Sequence, residues 1–303
     1  MTDDGLRSRP VFFLTLFAGS VLGAMPSACP GAPIFEQVSV PSFEFEGLFH
    51  GTRAEALGSA DLAGAQGVEA QLLNPAPLVF GSSAEVAYGH MEYDHLEWLD
   101  GDLQNYGAAV LWRDIRFAMV RDELSVDGIT VRTAFDPEGT RIAIRERMDL
   151  AGVSWARRHE LDSTTRILWS VGGGYRRYSS HIGSSRTHAN TFDAGTSAGL
   201  SKLTHGAVTR LLGAVAWQNV FDQNAEASGR RVSVPRTLRL GVTADLALDL
   251  VGEAGEDARF RVAYTRALDL ERSDEDDDHL GLELTLLKRL SLRVGRDEGF
   301  AGG

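Results

Sequence analysis

The residue arrangements that could carry chemistry are few, and each fails on its context. Gly195-Thr196-Ser197-Ala198-Gly199 fits the G-x-S-x-G pattern of a nucleophile elbow. That motif works only where a strand turns sharply into a helix and presents the serine to His and Asp partners. Here it lies inside an alternating, strand-like segment with no helix after it, so small residues along a strand account for it. Gly172-Gly173-Gly174 has neither the following Lys-Ser/Thr pair nor the G-x-G-x-x-G spacing of a phosphate loop. It reads as a glycine-rich strand that bends or lets another group approach closely. Asp274-Glu275-Asp276-Asp277-Asp278 offers carboxylates for calcium, but His279 replaces the required glycine and Thr285 the twelfth-position acid. A solvated acidic hairpin loop is expected there. None of the eight histidines forms H-E-x-x-H or another close ligand pair; His90 and His95 read as isolated. Cys29 stands alone, which excludes an intramolecular disulfide framework and a Cys-rich zinc site. The expectation is no catalytic set, no metal site and no cofactor.

The remaining candidates are charged residues placed by alternation. Arg239, Asp245, Arg261, Glu283 and Arg293 fall on the polar faces of neighbouring predicted strands. They could set the selectivity of a pore, or form a charge-paired network that fills a lumen. The strands behind them are plain in the sequence. From Thr237 to Leu248 one face is Leu238, Leu240, Val242, Ala244, Leu246 and Leu248, and the other is Arg239, Gly241, Thr243, Asp245 and Ala247. Segments 258–268, 279–287 and 290–295 alternate in the same way, and weaker strands are readable near 84–93, 105–112, 114–122, 129–134, 147–158, 166–178, 190–201 and 209–219. That makes roughly a dozen strands of about 8–12 residues, in keeping with membrane-crossing strand lengths. No convincing helix separates them, so parallel α/β folds are excluded. A soluble sandwich or solenoid would bury the apolar face; a transmembrane barrel would turn it to lipid.

Composition narrows the classes further. The 303 residues carry a formal net charge of -12, the wrong sign for a phosphate-backbone binder, so no nucleic-acid partner is expected. Glycine is abundant at 33 residues and proline scarce at nine, which fits neither collagen nor a disordered chain. At the N-terminus, Arg7 and Arg9 precede the apolar run Val11–Ala24, which exits through small residues. This reads as a secretory signal, too short for an ordinary membrane-spanning helix. Arg53–Leu73 reads as one or two short helical turns ending at Asn74-Pro75-Ala76-Pro77, where both pre-proline residues are expected to be extended. The expected organisation is a signal peptide at 1–28, an N-terminal plug at 29–80 and a β-barrel at 81–303.

Three pieces of the sequence resemble PorV/PorQ-type outer-membrane proteins, relatives of the FadL-like long-chain fatty-acid transporters. The first is Leu57–Ala65 followed by Leu73-Asn74-Pro75-Ala76, with Pro77 where the family usually has glycine. The second is Ala216–Val220 with Val234–Val242, and the third His279–Leu284 with Leu290–Gly295. Together they span about residues 50–296. The resemblance implies an all-β, transmembrane antiparallel barrel of about 12–14 strands in the bacterial outer membrane, with a short N-terminal plug docked through Asn74, Pro75 and Ala76. It implies a non-enzymatic role, either passage of hydrophobic small molecules or docking and shuttling of secreted proteins, with outer-membrane lipid as surroundings. Family members continue after the third piece with strands that close the barrel, whereas this chain stops at Gly303. Either it is a truncated product lacking C-terminal strands, or the barrel closes with fewer. The competing expectations are a soluble periplasmic β-rich binding or structural protein and a barrel-bound enzyme.

Overall fold

Period-two alternation becomes sheet almost throughout. The computed structural model describes residues 56–297, except 97–98, 134–135, 184, 205, 222–224, 228–229, 233, 249–256, 271–275 and 288. The chain divides into Met1–Val38 and Ser39–Gly303, and every described residue belongs to the second unit. The expected signal peptide and Cys29 lie outside the described residues. A short helix α1 (Ala70–Leu73) and a 3-10 turn (Pro77–Phe80) precede the strands β1 (Ala84–Leu96), β2 (Leu99–Trp112), β3 (Ile115–Thr133), β4 (Asp136–Glu160), β5 (Thr165–Ile182), β6 (Ser185–Thr204) and β7 (Ala207–Gln218). There follow β8 (Ala225–Ala227), β9 (Arg230–Val232), β10 (Thr237–Leu248), β11 (Ala258–Asp269), β12 (Asp277–Leu286) and β13 (Leu290–Asp297). Eleven strands form one sheet in the order β1 to β7, then β10 to β13, and β8–β9 is a separate hairpin. Every neighbouring pair in the large sheet is antiparallel. The sheet is open, with β1 and β13 as its edges.

The strand ends beside Gly81 are called proximal here and the opposite ends distal. Towards the distal side, β3 to β6 run to 19, 25, 18 and 20 residues. The expected strands 114–122 and 129–134 are therefore one strand, and 147–158 is the proximal part of β4. Distal to Met119 the outer face of β3 turns charged at Arg121 and Glu123, and Asp122 interrupts the inner face of Val120, Leu124 and Val126. Hydrophobic periodicity therefore weakens while the backbone ladder continues unbroken through Glu123 and Ser125.

Which face is buried decides the character of the fold. Arg116, Asp122, Arg176, Asp193, Thr243, Asp245, Arg261 and Thr265 are buried together with alanines, glycines and a cluster of Leu103, Val120, Met148, Leu150 and Tyr178. The opposite face is apolar and exposed: Val86 is 85% exposed, Met119 69% and Val110 53%. The pattern is inverted relative to a water-soluble sheet, which hides its apolar face.

The buried face is covered by residues 57–81. Asn74 is extended there, as the sequence predicts (φ -155, ψ 119). Ala76 departs from the expectation and is helical (φ -68, ψ -49). Pro77 opens the 3-10 turn, where a missing N–H costs nothing, and the Ala76 N–H donates to Asn74 Oδ1 at 2.9 Å.

Candidate functional site

The site is the inner face of the sheet together with the segment that lies across it. Three buried arginines, on β3, β5 and β11, each join a carboxylate to the backbone of the N-terminal segment or its exit. Arg176 pairs with Asp193 on β6, and its Nη2 donates 2.9 Å to the Leu72 carbonyl. Arg261 Nη1 donates to Asp61 Oδ2 at 2.9 Å and to the Gly64 carbonyl at 3.0 Å, while its Nε donates to Asp245 at 2.5 Å. Arg116 reaches Glu85 at 2.7 Å and the Ser82 carbonyl. Gln218 Nε2 adds 2.8 Å to the Leu72 carbonyl, and Thr265 Oγ1 adds 2.7 Å to the Ala60 carbonyl. Carbonyls that the segment's one-turn helix and its turns leave open are thus satisfied by side chains of the sheet, as buried backbone requires.

Glycines let that segment come close. A Cβ at Gly172 would lie 2.5 Å from the Pro75 carbonyl carbon, and one at Gly195 2.0 Å from Asn74 Oδ1. Gln71 lies against Gly152 and Gly174 in the same way. The glycine-rich run of β5 is thereby explained as a seat for the segment. Asn74, Pro75 and Ala76 are fully buried on this seat, with Asn74 closing a turn on its own backbone.

Four of the five predicted polar-face residues come together. Asp245 and Arg261 face each other across β10–β11; Arg261 faces Glu283 across β11–β12; Glu283 accepts from Arg293 Nε at 2.6 Å across β12–β13. Arg259 joins by pairing with Asp245. With Asp61 these ion pairs join three carboxylates to three guanidiniums, and Arg210 on β7 stands opposite Asp245 on the same face. Arg239 is on the same face of β10 but six residues from Asp245, roughly 20 Å along a strand. It lies outside the cluster.

Arg116, Arg176, Asp193, Gln218 and Asp61 were not singled out from sequence. Period-two placement of Arg116 with Ala118 and Val120 would have put it on the small-residue face. Arg176 is masked by its neighbour Arg177, since a tandem pair shows a charge on both faces.

The motifs rejected as chemistry behave as strand. Ser197 lies mid-strand in β6, its Oγ 2.7 Å from Ser170 Oγ on β5. His90 pairs with Asp102 at 2.5 Å. Asp276 and Asp278 engage Arg266 and Tyr264, while residues 274–275 lie outside the described residues. Among the described residues no group of three or more His, Cys, Asp or Glu is placed to hold a metal ion.

Aromatic residues mark both margins of the outer apolar face. Trp155 and Trp169 meet edge-on at 4.8 Å near the proximal margin. Tyr88–Tyr106 at 5.4 Å and Tyr175–Phe192 at 5.3 Å stand near the distal one. The distal margin does not follow the hydrogen-bonded rows. Arg121, Asp149, Arg177 and Asn190 share one row on β3 to β6, whereas Arg266 and Asp278 share a row several steps nearer the proximal side, and Arg296 a lower one still. No family model matches the chain, and no curated protein matches it at a significant level.

Proposed function

We propose that the chain is a non-enzymatic outer-membrane β-barrel of the PorV/FadL type, whose lumen is occupied by residues 57–81. The observation that carries this reading is the burial pattern: paired guanidiniums and carboxylates inside beside a small apolar cluster, and a broad exposed face of leucine, valine and aromatic side chains outside. Soluble monomers rarely expose apolar patches beyond a few hundred Å2, whereas a lipid-facing surface needs one, with aromatic girdles at both margins. The stepwise descent of the polar margin adds support, because strands that tilt within a barrel carry a staggered register.

A segment clamped across the inner face by three arginines favours a closed barrel over an open pore. Within the two roles that the resemblance implies, this supports docking of exported proteins at a membrane anchor over passage of hydrophobic molecules through the interior. The test is detergent extraction of the full chain followed by gels of heated and unheated samples, with dye uptake into proteoliposomes. A heat-modifiable band with no uptake is expected. Purification as a monomer without detergent would overturn the membrane reading, and rapid uptake of a hydrophobic dye would overturn the closed state.

A further inference from the structure

The outward face of β1 to β6 is not uniform. A furrow of about 740 Å3 crosses it, lined along one row by Val86, Ala108, Met119, Ala151 and Tyr175, so that Ala151 forms a trough between Met119 and Tyr175. That volume lies within the ~300–1,000 Å3 of ordinary ligand sites. Its distal rim is charged. Arg121 and Arg147 both lie against Asp149 and Glu123, so those four charges balance. Arg177 also lines the furrow, and among the described residues no carboxylate pairs with it. Four residues further distal, Arg145, His181 and Arg186 share one row and, with His188, line a second groove of about 400 Å3. Among the described residues, Arg177 at the trough's rim and Arg145 and Arg186 four residues beyond it thus lack a carboxylate partner, although Glu123 and Glu146 line the second groove, in a chain of net charge -12.

We infer that this furrow and its rim bind one phosphorylated lipid of the facing leaflet, with an acyl chain on Ala151 between Met119 and Tyr175 and the headgroup phosphate at Arg177. The inference rests on the membrane reading above. Guanidinium presents a planar fork of donors that matches phosphate oxygens. Arg145 and Arg186 lie farther out and supply the field that selects an anionic headgroup over a zwitterionic one. The small residues matter equally, since a free anion needs the arginines but not the trough. An acyl chain needs both, at the level where the aromatic girdle of Tyr106 and Tyr175 ends.

The experiment is native mass spectrometry of the detergent-extracted full chain with phosphatidylglycerol or phosphatidylcholine added, and inorganic phosphate as competitor. The wild-type chain should retain phosphatidylglycerol in preference to phosphatidylcholine. Arg177→Gln should weaken that retention about tenfold, the loss expected for one charged hydrogen-bonded contact. Adding Arg145→Gln and Arg186→Gln should abolish the preference. Ala151→Phe, which fills the trough and adds only apolar surface, should also abolish retention. If inorganic phosphate displaces the lipid while Ala151→Phe leaves binding intact, the rim is a free-anion site and the lipid assignment fails. If the wild-type chain shows no preference while its heat-modifiable band persists, the lipid site alone is overturned. Loss of detergent dependence would instead remove the membrane reading on which it rests.

Discussion

Arg176 illustrates how much a single buried charge holds. It satisfies Asp193 on β6 and the Leu72 carbonyl of the segment at once. Removing the cation leaves a carboxylate buried without its partner, at a cost of about 3–5 kcal/mol. Arg176→Met should therefore lower the temperature at which the folded gel band converts to the unfolded one. Adding Asp193→Asn, which keeps an acceptor for the Asn219 amide, should recover much of that loss. An unchanged conversion temperature in the single variant would show that the pair does not clamp the segment. A milder case is Asp162 in the exposed β4–β5 turn, whose carboxylate accepts from the Thr164 amide, the Thr164 hydroxyl and the Thr165 amide, each at 2.8 Å. Those donors hold its carboxyl down to about 2. A depressed carboxyl contributes turn stability above its unfolded value of ~3.9, and the contribution is lost as pH falls through the folded value. The Thr164 amide resonance should titrate with a midpoint near 2; a midpoint near 4 would contradict the turn geometry. Of the interior charges, Asp245 and Arg261 were readable because their strands alternate cleanly. Arg176 was not, because only register tells it from Arg177.

At the scale of the strand, position on one face or the other decides the outcome of a substitution. On β12, the proposed membrane reading expects Leu282→Arg to reduce assembly yield sharply, since an arginine facing lipid near mid-bilayer costs about 2–4 kcal/mol. Thr285→Arg, on the inner face beside Ser291, should assemble far better. Equal yields would reverse the face assignment. The glycines give a second contrast. Gly172→Val on β5 collides with the Pro75 backbone, whereas a Cβ at Gly213 on β7 meets nothing within 4 Å. Limited proteolysis should cut the valine variant near residues 56–81 with the barrel band retained, and leave Gly213→Ala as resistant as wild type. Strands β10 to β13 were legible because one face is almost wholly leucine, valine and phenylalanine. The middle of β3 between the expected strands 114–122 and 129–134, and the distal half of β4, were not, because charges such as Glu123, Arg147 and Asp149 on the outer face and Asp122 and Glu146 on the inner one blur the period. Hydrogen bonding to neighbours, which composition does not encode, extends those strands.

For the whole molecule, the descending polar margin converts into an angle. If that margin lies level in the bilayer, the hydrogen-bonded rows must climb around the sheet and the strands must lean. Polarised infrared dichroism of oriented membranes should report a strand tilt of about 35–45°. Strands standing upright would disconnect the margin from the membrane plane. The Asn74-Pro75 turn was legible in sequence as a rigid corner. What it rests upon was not, because the seat is assembled from Gly172 and Gly195 on different strands. The sheet order carries one more consequence, which concerns parity. With eleven alternating positions, β1 and β13 both run from the proximal to the distal side. Drawn together directly, they would pair in parallel, through slanted bonds and a slightly weaker ladder. An odd number of strands inserted between them would restore antiparallel pairing all the way round. If the sheet closes, the junction of β1 with β13 is therefore the one place where its kind is open: direct closure makes it parallel, unlike every other junction, and an odd insertion makes the wall antiparallel throughout.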